Sequence, residues 1–81
     1  MVFETKISFE PGTCRAILWA DTPAGARFQV LVDPQYAVEL WGLRKPVELI
    51  ELVRAIKEHM DEITKAATAA YARGELVLQL D

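Results

Sequence analysis

Few residues in this chain have any capacity for chemistry. His59 is the only histidine and Cys14 the only cysteine. His59 follows Glu58 directly, and Asp61 and Glu62 come just after it. A histidine oriented by a carboxylate suits a general base or a metal ligand, because imidazole changes charge near neutral pH. The plainer reading is a histidine on a helix flank, packing its ring and pairing with Glu62 one turn on. That reading is preferred, since a zinc site needs several N or S ligands at short spacing and no second histidine exists. Cys14 could be a nucleophile with His59 as its base, yet a lone strand cysteine more often serves as a small hydrophobe. Ser8 is the only serine, asparagine is missing, and no glycine-rich phosphate loop occurs. No catalytic, cofactor-binding or metal-ligating residue is therefore assigned. The expectation is a protein that is not an enzyme and uses no cofactor.

Charge narrows the partners. Twelve acidic residues against nine basic ones give a net charge of −3, which disfavours attraction to phosphate backbones and anionic membranes. The run EHMDEI over 58–63 could draw a cation or a basic partner. A solvated helix face, with Asp61 and Lys65 four residues apart, accounts for it better. Nucleic-acid modules need a basic stripe, often with exposed aromatics for stacking. Here only Arg44 and Lys45 adjoin, and Trp19 and Trp41 fall on faces expected to be buried, so nucleic acid is a disfavoured partner. No apolar run approaches the roughly 18 residues of a membrane helix, so no membrane partner is expected. The start, MVFETKISFE, alternates instead of presenting a basic region and an apolar block, so no signal peptide is read. One cysteine excludes an internal disulfide and suits a reducing compartment. A cytoplasmic single α+β domain over 1–81 is expected.

The elements that must position these residues follow from periodicity. Phe3, Thr5, Ile7 and Phe9 alternate with polar residues, a strand with one buried face. Pro11-Gly12 turns the chain. The run CRAILWA places Ile17 and Trp19 on one face and Cys14, Ala16 and Leu18 on the other. After the turn DTPAGA, the run RFQVLV points Phe28, Val30 and Val32 one way and Leu31 the other, which completes a β-hairpin. Asp33-Pro34 reads as an N-cap with proline at the first helical position, and Gly42 ends that short helix. Pro46 can open the next helix in the same way.

That next helix carries one apolar stripe: Leu49, Val53, Ile56, Met60, Ile63, Ala67 and Ala70. Glu48 and Glu51 in its first turns and Arg73 in its last suit the helix dipole, and Gly74 closes it. About 28 residues at about 1.5 Å each make a rod of about 42 Å. A seven-residue strand spans about 23 Å. The helix must therefore overhang the sheet, bend or break. ELVLQLD then supplies a last strand with Leu76, Leu78 and Leu80 inward. The expected fold is α+β, a mostly antiparallel four-stranded sheet in the order β-β-β-α-α-β with one long helix packed on one face.

The segments GARFQVLVDPQYAVELWG, EHMDEITKAATAAYARGE and LVLQL resemble the small bacterial proteins grouped as domain of unknown function 1488. The match runs over Ile17 to Leu80 and includes the aromatic-glycine pair Trp41-Gly42 and the helix tail Tyr71, Arg73 and Gly74. The chain departs from that pattern at Val30, where the family would place a cysteine. The resemblance implies the same order of elements and transfers no activity.

With Trp19, Phe28, Val30 and Val32 turned toward the helix, the other sheet face would carry Leu18, Leu31, Val77 and the small Ala16. These four are the candidate interface. The functional expectation is a non-enzymatic protein–protein interaction module, a homodimer. A phage- or plasmid-type inhibitor or adaptor that caps a larger host complex is the second reading, and a weak nucleic-acid-binding regulator the third.

Overall fold

The computed structural model describes residues 1–81 and reaches 38 Å in its longest dimension. Strands β1 (Val2–Phe9), β2 (Ala16–Asp21) and β3 (Arg27–Val32) come first, followed by helices α1 (Pro34–Trp41), α2 (Leu49–Glu58) and α3 (Met60–Ala72) and strand β4 (Val77–Leu80). The sheet order is β1-β2-β3-β4. The first two pairings are antiparallel and β3-β4 is parallel. The sheet is thus mixed, and the expectation of a mostly antiparallel one holds for two of its three pairings. Three helices intervene between β3 and β4, and a crossover of that length can return the chain in the same direction. No helix is long and apolar enough to cross a membrane.

Local chemistry explains the element ends. Asp33 accepts the Gln35 N–H through Oδ1 at 2.8 Å, and Pro34 follows at the first helical position, as expected. Asp33→Ala should destabilise the domain by about 1 kcal/mol, read as a lowered urea midpoint at unchanged slope. After α3, Gly74 at φ +84° donates to Tyr71 O, and Glu75 N–H donates to Ala70 O. These two bonds satisfy carbonyls the helix leaves open, and the positive φ explains the glycine. Pro46 does not open a helix. α2 starts three residues later, with Glu48 as an N-cap that makes no side-chain bond.

The one long helix is in fact two. His59 leaves helical geometry at φ −107°, ψ 19°. Its N–H is shared between Ala55 O and Ile56 O, and a ring nitrogen lies 2.8 Å from Ala55 O. The apolar stripe persists across this break but starts later than expected. Leu52, Ala55 and Ile56 are buried in α2, whereas Leu49 is exposed and Val53 only half-buried. Of the early stripe positions only Ile56 lies in the core. A straight rod of about 42 Å would also exceed the 38 Å length of the whole domain.

All helices that contribute to the core pack on one side of the sheet. The core joins Ala16, Leu18, Ala20, Phe28, Val30 and Val32 to Ala37, Leu52, Ile56, Ile63, Ala67 and Ala70. Alanines lie on both sides of this seam, Ala16 and Ala20 from the sheet and Ala37, Ala67 and Ala70 from the helices. The register places Leu18 opposite Val30, Ala16 opposite Val32 and Ala20 opposite Phe28. Directly opposed residues share a face. The expectation for β2 was therefore inverted: its inward residues are Ala16, Leu18 and Ala20, and Ile17 and Trp19 point outward. Two bulky outward residues were mistaken for core because both faces of β2 are apolar. Leu78 and Leu80 pack inward as expected, while Leu76 precedes the strand and is exposed.

Candidate functional site

Among the candidate interface residues, Ala16 and Leu18 are withdrawn by the register. They are 0% and 2% exposed, held in the core between sheet and helices. Leu31 and Val77 do lie on the opposite face, because Leu31 pairs with Ile17 and Val77 with Gln29. Leu31 is nonetheless 8% exposed, while Val77 is 45% exposed. The open face consists of Ile17, Trp19, Gln29, Leu31, Val77 and Gln79, with Asp21 and Arg27 at one end. Reading β2 in its true facing would have put Ile17 and Trp19 in the set. That facing follows from the strand register, which sets small Ala16 and Ala20 opposite bulky Val32 and Phe28.

Electrostatics at that end are closed. The Arg27 guanidinium lies 5.3 Å from the Trp19 ring centroid, donates to Asp21 Oδ1 at 2.9 Å, and also pairs with Glu4. Those two carboxylates raise the Arg27 pKa further. An aromatic on an open sheet with an arginine over it could stack a nucleobase. Here the cation is held by two acids, and Trp19 is half-buried on the outer face where a buried one was expected.

The residues that could do chemistry are dispersed. Cys14 is exposed in the β1–β2 loop at φ +59°. Beside it Glu10 accepts from the Thr13 hydroxyl at 2.7 Å and from Arg15 at 2.8 Å, and these bonds lower the Glu10 pKa. His59 sits at the α2–α3 break, stacked on Trp41 with centroids 4.4 Å apart and planes at 14°. Tyr36 meets Trp41 edge-on at 5.4 Å. Glu62 accepts the Trp41 indole N–H at 3.3 Å instead of pairing with His59. Burial raises the Tyr36 pKa, and the Glu62 charge adds to the shift. His59 is therefore the residue at the helix break on which Trp41 docks α1. Asp61 and Lys65 form no ion pair within 4 Å. No three His, Cys, Asp or Glu residues cluster as metal ligands would.

Two surface grooves meet at Lys57. One of about 390 Å³ is lined by Ile50, Val53, Arg54, Lys57 and Glu58 on the outer side of α2. The other, of about 290 Å³, has Phe3, Ile7, Leu18 and Met60 as its apolar lining beside β1. Neither contains His59 or Cys14.

The two edges of the sheet differ. β1 carries Glu4 and Lys6 and an irregularity between Phe3 and Ile7. Charges and bulges of this kind block pairing with another strand. β4 reads VLQL, with no charge, proline or bulge. Comparison with known protein families, curated proteins and solved structures finds no match to this chain.

Proposed function

We propose that this protein is a non-enzymatic protein–protein interaction module that works as a homodimer. The observation that carries the reading is the half-covered sheet: helices pack on one face, while exposed Val77, half-buried Ile17 and Trp19 and nearly buried Leu31 lie on the other. An apolar sheet face bordered by an unprotected edge has the composition of a surface meant to be covered. The resemblance to domain of unknown function 1488 is kept with this proposal and adds only an order of elements.

Sedimentation equilibrium at several protein and salt concentrations tests it. The expected result is a dimer whose stability changes little with salt, because apolar and backbone contacts are screened weakly. A monomer at every concentration would sink the homodimer. The same surface would then have to meet a larger host complex, the inhibitor or adaptor reading.

A further inference from the structure

We infer that two copies of this chain join through β4, edge to edge about a two-fold axis at Leu78, to form one eight-stranded sheet. The inference deepens the homodimer reading and rests on it. The backbone shows which groups are free. Gln29 N–H donates to Leu76 O at 3.0 Å and Asp33 N–H donates to Leu80 O at 2.9 Å. In a parallel ladder alternate residues bond the same neighbour. Leu76, Leu78 and Leu80 therefore face β3 with their peptide groups, and Val77 and Gln79 turn theirs to the open edge.

An antiparallel partner strand meets this pattern in only certain registers. With the axis at Leu78, Val77 of each copy lies opposite Gln79 of the other. Each such pair exchanges both of its bonds, about four backbone hydrogen bonds across the join. Leu78 meets Leu78 on the inward face, and Leu76 and Leu80 close in beside it. Leu76 and Val77, 48% and 45% exposed in the single chain, become covered.

The symmetry of the free groups points to a second copy as the occupant. Val77 and Gln79 lie one on each side of Leu78 and complement each other about a two-fold axis. Charge at the ends permits the join. Asp81 of one copy comes beside Glu75 of the other, which would repel, but Arg73 already holds Glu75 at 2.8 Å. That guanidinium is more than half exposed and supplies the opposite charge to Asp81 across the join. Like charges directly opposite destabilise a strand pair, and here the Arg73 guanidinium is the counter-charge that offsets Asp81 against Glu75. The β1 edge offers no such match, since its irregularity falls where Glu4 to Lys6 would have to pair.

The test removes the outward donor without touching the β3 ladder. Gln79→Pro deletes an N–H that faces the open edge, a place where proline is tolerated. Val77→Lys, a second variant, puts a charge on the edge and keeps the backbone intact. Both should keep the far-UV circular dichroism of the parent and sediment as monomers. The dimer dissociation constant should rise at least about tenfold, since each copy loses a donor. In the parent, exchange of the Val77 and Gln79 amides should slow as protein concentration rises. A dimer that survives in both variants, or that protects β1 amides instead, overturns the edge pairing and leaves the homodimer standing. A parent protein that is monomeric throughout overturns both.

Discussion

Leu18→Asp should leave no folded domain, whereas Ile17→Asp, one residue away, should still melt cooperatively. Leu18 is 2% exposed and lies between Ile7 on β1 and Val30 on β3, facing the helices. Removing a leucine of this kind costs about 2–5 kcal/mol in lost contacts and cavity. Placing a carboxyl group there without a partner adds a desolvation cost of a few kcal/mol more. A domain of this size has about 5–15 kcal/mol in total, so the two losses together consume most of it. Ile17 sits on the open face beside Ser8 and Leu31, where an aspartate side chain reaches water. Far-UV circular dichroism and thermal melting of the two variants settle the facing of β2. If Leu18→Asp folds and Ile17→Asp does not, the register between β2 and β3 described above is wrong.

Trp41→Ala should lower stability by about 2–4 kcal/mol, although the side chain is only partly buried. The two ring contacts, stacked on His59 and edge-on to Tyr36, are together worth about 1–3 kcal/mol beyond the area they bury. The bond from the indole N–H to Glu62 and the apolar area of the ring account for the rest. At about 4–8 °C per kcal/mol for a small domain, Tm should fall by at least about 8 °C. Trp41→Phe keeps a ring for the stack and should lose less than half as much. A double-mutant cycle with His59→Ala isolates the stack. Independent effects of the two substitutions would show that α1 is held by something other than this contact.

Much of the architecture was legible because it depends on local chemistry. Asp33-Pro34 and Gly42 bound α1, and Gly74 ends α3, since caps are decided by a few adjacent residues. The hairpin followed from alternation and the Pro-Ala-Gly turn. What escaped depends on contacts distant in sequence. The break at His59 does not interrupt the apolar stripe, and it is seen only with Trp41 from another helix stacked on it. The parallel direction of β4 follows from where the crossover delivers the chain. The facing of β2 failed for a different reason. Size suggested that Trp19 and Ile17 fill the core, but the β2 side chains that lie among the buried core residues are Ala16, Leu18 and Ala20. Half of the candidate interface was misplaced with that strand, and the half taken from β3 and β4 kept its face.

The parallel β3–β4 pairing also has a meaning for synthesis. The chain emerges from the ribosome in order, so β1, β2 and β3 can zip as neighbours while β4 is still unmade. Until Val77–Leu80 arrives, β3 is the border of a three-stranded sheet. Its sequence, RFQVLV, carries one charge at its first position and is otherwise largely apolar. A nascent chain thus displays its stickiest backbone for as long as translation takes to cross the three helices, and the four residues of β4 act as the seal that ends the exposure.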